Sequence, residues 1–350
     1  MRLLSLVLAA SSVVFAGPVG FVQTNLASDA TDAHLVNAWG LNATGGSPWW
    51  IGANGSGLAL IYTGAGVKNT MLEVAIPGDG TVTGVTVNGN TAVGGDFNRD
   101  LFLFASEDGT VSGWRSALGS NAETLQTGAP PNNYKGLTYG TNGGLGYLYL
   151  ANFGTGKIDV LKGMSTNPNL TGSFTDPNLP ANYSPFNVQN IGGTIYVAYA
   201  LKSGDEEAHG SGLGFVDAFS TDGALIDRVA SGPELNAPWG LAIAPDGFGD
   251  LGGDLLVGNF GDGMIHAYRN GTMVETLTDA SGNPLSIDGL WALRFGNNGG
   301  AGPSSTLFFT AGPDEEAGGL FGQLVPAPEP ATWLLGAAGI LALAFVRRRK

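Results

Sequence analysis

A short phrase that returns six times constrains this chain more than any other feature. Ala38-Trp39-Gly40-Leu41, Pro238-Trp239-Gly240-Leu241 and Leu290-Trp291-Ala292-Leu293 are near copies, and weaker versions stand at Thr83-Gly84-Val85, Lys135-Gly136-Leu137 and Ser184-Pro185-Phe186. Anchored on residues 39, 83, 135, 185, 239 and 291, the repeats are spaced by 44, 52, 50, 54 and 52 residues. Between anchors, β-branched and aromatic runs are separated by glycine-bearing turns, so the 58 glycines act as punctuation rather than filler. Six units of about fifty residues, each made of short strands, predict an all-β fold, a six-bladed β-propeller.

Individual strands can be written out. In the fifth unit, Trp239 to Ala244 is the inner strand, Asp254 to Phe260 the second and Gly263 to Arg269 the third. The turn Asn270-Gly271 then leads into a fourth strand from Thr272 to Thr278. Asn-Gly marks this hairpin because a type I′ turn needs positive φ at both central positions. Trp49 to Asn54, Tyr147 to Phe153 and Thr306 to Ala311 are matching second strands. The sixth unit runs out after Leu320 to Leu324, while Gly20 to Leu26 is a strand with no unit of its own. The N-terminal strand is therefore expected to complete the last blade and close the ring. A closed ring exposes no long edge, so a monomer is expected. The inner-strand tryptophans are expected between blades.

The two ends address the chain. Arg2 followed by the apolar stretch Leu3 to Ala10, with Val14-Phe15-Ala16 offering small residues at a cleavage site, predicts a secretory signal peptide over residues 1–16. The propeller is assigned to residues 17–325 and a sorting segment to 326–350. In that segment Pro328-Glu329-Pro330 adjoins an uncharged run from Ala331 to Val346, followed by Arg347-Arg348-Arg349-Lys350. As a helix the run covers roughly 24 Å of a ~30 Å hydrocarbon core, a gap that snorkelling arginines can bridge. The arrangement resembles the PEP-CTERM sorting signal of Gram-negative bacteria. The resemblance implies a transmembrane helix over 331–346, recognition by an exosortase-type membrane protease, and a protein exported to the periplasm and cell envelope or released outside. The helix would anchor it in the inner membrane only until processing. The absence of cysteine suits an oxidising compartment.

Setting aside Arg2, Arg347, Arg348, Arg349, Lys350 and Glu329 leaves ten basic and 28 acidic residues, a formal charge of −18 on the body. Nucleic acid is excluded as a partner on that ground. Asn37-Ala38-Trp39-Gly40-Leu41, Ser106-Glu107-Asp108-Gly109-Thr110, Leu255 to Gly263 and Asp288-Gly289-Leu290-Trp291 resemble a bacterial family of six-bladed propellers with NHL-like architecture, many of whose members carry PEP-CTERM tails. That resemblance implies architecture and carries no catalytic residue.

Propeller ligands gather where the loops before inner strands meet the loops after second strands, around the channel. Asn37, Asn236 and Asp288 are expected there from one set, and Asn54, Asp96, Asn152 and Asn259 from the other. Asp205-Glu206-Glu207-Ala208-His209 and Asp314-Glu315-Glu316 join them. The recurring Asn and Asp residues are read first as turn formers that bond their own backbone. The two acidic loops do not recur and are the better functional candidates, with Asp205, Glu206 and Glu207 as potential ligands of calcium, which takes six to eight oxygens. Asp246 to Asp254 lacks the spacing of a calcium loop and is expected to be a plain connection. Of the histidines, His34 and His209 fall on this face and His266 within a strand. With no nucleophile elbow and no paired zinc ligands, the leading expectation is a non-enzymatic binding module for a glycan, envelope polymer or protein. The alternative is a calcium-dependent hydrolase similar to six-bladed lactonases.

Overall fold

Six β-sheets in sequence order build the ring in the computed structural model, which describes residues 20–327. The first blade runs Ala38–Asn42, Trp49–Ala53, Leu58–Tyr62 and Val74–Ala75, and the second Val82–Val87, Phe102–Ser106, Val111–Trp114 and Glu123–Gln126. The third has three strands, Tyr134–Asn142, Leu145–Asn152 and Lys157–Lys162. The fourth comprises Tyr183–Ile191, Thr194–Ser203, Gly214–Ser220 and Leu225–Ala230, with a short extra strand, Glu206–Glu207, folded back on the end of Thr194–Ser203. The fifth runs Pro238–Ile243, Leu255–Asn259, Ile265–Arg269 and Thr272–Thr276. Asn270 and Gly271 take φ of 51° and 77° at its hairpin, as the sequence predicts.

The sixth blade joins the two ends of the described chain. Leu290–Phe295, Leu307–Ala311 and Leu320–Pro326 are followed outward by Phe21–Ser28, which pairs antiparallel with Leu320–Pro326 from Phe21↔Pro326 to Ser28↔Leu320. Non-local closure of this kind ties the first blade to the last. The signal-peptide residues 1–16 and the 331–346 segment lie outside the described residues. Among the described residues no helix is long and apolar enough to cross a membrane.

Every inner strand has a bulge at the repeated phrase. Pairing with the second strand slips between Ala38 and Leu41, Val82 and Gly84, Tyr134 and Gly136, Pro185 and Asn187, Pro238 and Gly240, and Leu290 and Leu293. A bulge re-aims the side chain it carries. Trp39, Thr83, Lys135, Phe186, Trp239 and Trp291 hold the equivalent positions, so the fourth repeat is centred on Phe186 rather than Pro185. The tryptophans correct the sequence expectation as well. They meet one another instead of filling the gaps between blades: Trp39 stacks on Trp291 at 3.6 Å, and Trp239 stands edge-on to both at 6.4 and 6.0 Å. Together with Phe153, Phe186 and Phe260 they form one buried cluster drawn from five blades.

The glycine of the phrase has a different duty. A Cβ on Gly40 would stand 2.7 Å from the Thr83 carbonyl and the Val85 nitrogen, and one on Gly84 2.8 Å from the Leu137 nitrogen. Glycine here lets neighbouring inner strands approach backbone to backbone. Side chains then clasp the blades: the Thr83 hydroxyl donates to the Tyr134 carbonyl (2.6 Å), Asn187 Nδ2 to Trp239 (2.7 Å), Gln189 Nε2 to Leu241 (2.7 Å) and the Thr310 hydroxyl to Trp39. Between sheets the cores are apolar, as where Trp50 stacks on Phe102 and meets Trp114, or where Phe174 bridges Tyr149 and Phe219.

Candidate functional site

Loops after the second strands and before the inner strands converge at one end of the channel, and there the departures from the repeat collect. Lys135 occupies the bulge position that holds tryptophan in three other blades. Its ammonium lies 2.6 Å from Glu107 Oε1 and 3.3 Å from Glu206 Oε2, above the faces of Trp39 (5.4 Å) and Phe153 (5.9 Å). Burial alone would depress its pKa, but Glu107, Glu207 and Glu206 more than offset this and raise it. The lysine is therefore a permanent buried cation.

A hydrogen-bonded arc carries the arrangement around the mouth. Asn37 Nδ2 donates to Glu316 Oε2 (2.5 Å) and to Asn54 Oδ1 (3.4 Å), and Asn54 Nδ2 donates to Glu107 Oε2 (3.1 Å). Trp291 Nε1 in turn donates to Asn37 Oδ1 at 2.8 Å, fixing the amide. The arc thus links the sixth, first, second, third and fourth blades through Glu316, Asn37, Asn54, Glu107, Lys135 and Glu206.

Beside it opens a cavity of about 400 Å³ lined by Glu206, Glu207, His209, Phe260, Asp288, Glu315 and Glu316 with three glycines. Its floor is the top of the aromatic stack, since Phe260 lies 3.9 Å from Trp291 at 15° and His209 stands edge-on to Phe260 at 5.3 Å. Burial pushes the Glu316 carboxyl above its usual range, and Glu207 and Glu107 add to this against Lys135 and Asn37. Burial acts the same way on Glu207, but His209 and Lys135 outweigh it and hold that carboxyl low. His209 is raised, chiefly by Glu207, with smaller contributions from Glu316 and Asp262.

The predicted site residues divide. Asn37, Glu206, Glu207, His209, Asp288 and Glu315 are brought to the mouth, and Asp314 lies beside it with its backbone N–H donating to Asp288 Oδ2 (2.9 Å). Asp96 is not. It sits between the first and second strands of its blade, hence at the opposite end of the ring, where it accepts from the Tyr139 hydroxyl at 2.8 Å. Asn152 and Asn259 serve their own turns, donating to Asp159 and Asp262 at 2.7 and 3.1 Å. Asp246 to Asp254 also connects first to second strands, and Asp254 ties down Arg269 at 2.7 Å.

The calcium ligands proposed from sequence do not converge. Ser203 pairs with Glu206 and Lys202 with Glu207 around the two-residue turn Gly204-Asp205, and successive strand residues point to opposite faces. Asp205 is an exposed turn residue, Glu206 is 71% exposed, and the Glu207 side chain is 5% exposed. Among the described residues, the acidic and histidine groups close enough to share an ion are Asp32, His34 and Glu73 on the rim of the first blade. There the Lys68 ammonium already bridges Asp32 (2.6 Å) and Glu73 (2.5 Å). Sequence reasoning missed Lys135 and Glu107 as site residues, although a lysine at the tryptophan position of a repeat is a visible anomaly; Glu316 belongs to the acidic loop that the sequence already placed on this face.

The fold defines this protein as a six-bladed propeller, and a solved structure of streptogramin B lyase is similar to it with a TM-score of 0.53 at 13% identity, over 89% of this chain and 98% of that one. Residues 326–350 match the PEP-CTERM protein-sorting motif, so the protein is one exported and processed by an exosortase. In Acanthamoeba polyphaga mimivirus, uncharacterized protein R648 is 33% identical over 330 residues, spanning 86% of this chain and 78% of its own length. Uncharacterized protein L690 is 30% identical over 325 residues, spanning 86% and 83%. The chain belongs to the propeller family that these proteins share.

Proposed function

We propose that the protein is an exported interaction module that holds a glycan segment of an envelope or matrix polymer at the acidic mouth of its channel. The supporting observation is the cavity of about 400 Å³ with an aromatic floor and carboxylate walls. Its size suits a small ligand or one or two units of a polymer. Carboxylates accept hydrogen bonds from sugar hydroxyls, and Phe260 adds apolar lining against which the carbon face of a sugar ring can rest. The tail anchors the protein in the inner membrane through the 331–346 segment until exosortase cleavage delivers it to the polymer. Within this reading the protein acts as a monomer and needs no metal.

The test is isothermal titration of polysaccharide fragments from the producing cell's envelope into the purified protein. Saturable binding that is lost in a His209→Ala, Glu206→Gln variant of unchanged melting temperature supports the mouth as the site. Binding that survives both substitutions moves the site elsewhere on the ring, and heat-silent titrations with every fragment overturn the reading.

A further inference from the structure

One carboxylate at the mouth lacks the partner its burial demands. The Glu207 side chain is only 5% exposed, and its Oε2 has no hydrogen-bond partner within the chain. Its other oxygen lies 3.6 Å from His209 Nε2, a charge contact rather than a hydrogen bond. A buried, unsatisfied carboxylate oxygen is costly unless a donor reaches it. The nearby lysines are already committed: Lys135 holds Glu107 and Glu206, and Lys202 donates to the carbonyls of Phe153 and Gly154 at 3.0 and 3.1 Å. Glu316, on the same cavity wall, accepts a hydrogen bond from the neutral amide of Asn37 and feels Lys135 only through space. The cavity therefore holds more buried negative charge than its own cations balance.

We propose that this cavity seats a protonated amine, the free amino group of a deacetylated amino sugar within the bound glycan, against Glu207 and Glu316. The carrier rests on the glycan reading above; the ammonium seat rests on the orphaned Glu207 oxygen. An ammonium has three donors and reaches acceptors that stand apart. Calcium instead needs six to eight oxygens closing on one point, and Glu207, Glu316 and His209 do not offer three ligand atoms mutually within 4.8 Å. An N-acetylated sugar would leave the carboxylates facing a neutral amide.

Full-length protein in detergent is titrated with glucosamine oligomers, with the N-acetylated oligomers of equal length, with glucose oligomers, and with monomeric glucosamine. The free-amine oligomer is expected to bind about tenfold or more tighter than its acetylated counterpart, and Glu207→Gln removes that preference at unchanged melting temperature. Glu316→Gln, which keeps an acceptor for Asn37, is expected to weaken it as well. Equal affinity for amine, acetylated and neutral oligomers would overturn the ammonium seat and leave the glycan reading standing. Binding of monomeric glucosamine with no gain from any oligomer would support the seat and overturn the polymer reading. Silence with all four probes overturns both.

Discussion

The two halves of the ring use the same six positions differently. In blades one, five and six the bulge carries Trp39, Trp239 and Trp291, whose rings fill the axis with apolar surface. In blades two, three and four it carries Thr83, Lys135 and Phe186, and a buried cation stands where an indole would. The polar half also holds the ring's two arginine-tied buried carboxylates with raised pKa, Asp100 beside Arg115 and Asp217 beside Arg228. Repetition, in this molecule, builds the scaffold; the breaks in repetition concentrate charge at one mouth.

The comparison breaks most sharply at the tryptophans. Trp291 stacks on both Trp39 and Phe260, so Trp291→Ala is expected to cost about 3–5 kcal/mol in urea unfolding. A cost below about 1 kcal/mol would mean the plug is not a structural element. In the other half, Lys135→Met keeps the volume but strands Glu107. A loss of about 3 kcal/mol is expected at neutral pH, shrinking in acid as Glu207, which Lys135 helps to hold low, protonates. A pH-independent loss would assign the lysine to packing alone.

A smaller effect separates the halves by acid. Burial raises the Asp217 carboxyl from 3.8 to about 6, with Arg228 opposing, and burial raises Asp100 too. A raised carboxyl contributes stability that is complete below 3.8 and is lost as the pH rises through about 6. Asp217→Asn should therefore lower the melting temperature at pH 4 relative to that at pH 7.5 by about 2 °C or more, read by calorimetry. An unchanged difference would place the ionised form comfortably in its pocket. The smallest effect on the fold, and the most specific to the mouth, is on binding. As pH falls, His209, raised above 6.5, gains charge beside Glu207, Glu316 and Asp262, and then Glu316, raised above 4.5, loses its own. Both changes oppose an incoming cation, so the affinity for an N-trimethylated oligomer, whose charge does not titrate, should fall between pH 8 and pH 5. His209→Gln should remove the upper part of that fall.

Much of the ring was legible because its grammar is local. Apolar runs, Gly turns and the six anchors located every blade, and the unit-less strand at residues 20–26 announced closure by Phe21–Ser28. The bulges were not legible. Inserting one unpaired residue turns Trp39, Trp239 and Trp291 toward the axis, and an alternating strand pattern gives no sign of it. The same blindness put the fourth anchor on Pro185 instead of Phe186. At the site, the acidic loop after blade four's second strand was visible as an irregularity, but its hairpin separates Glu206 from Glu207 and leaves Asp205 in the turn. Glu107 was hidden for another reason, and the same reason hid the partner, though not the loop, of Glu316. Their value comes from Lys135 and Asn37 on distant blades, and such encounters are set by closing the ring. Asp96 was misplaced because its blade has a long first connection, which moved the count by one strand.

The closing pair of strands sets an orientation. Leu320 begins beside the mouth, where Gly319 bonds Asp29, and the strand runs away from it to Pro326. Phe21 lies opposite Pro326, and the Ala327 N–H donates to the Gly20 carbonyl at 2.7 Å. Chain entry and chain exit therefore share the far end of the ring, and the residues that match the sorting motif begin there, at 326. The acidic cavity and the point where the chain leaves the ring toward its sorting motif therefore stand at opposite ends of the channel.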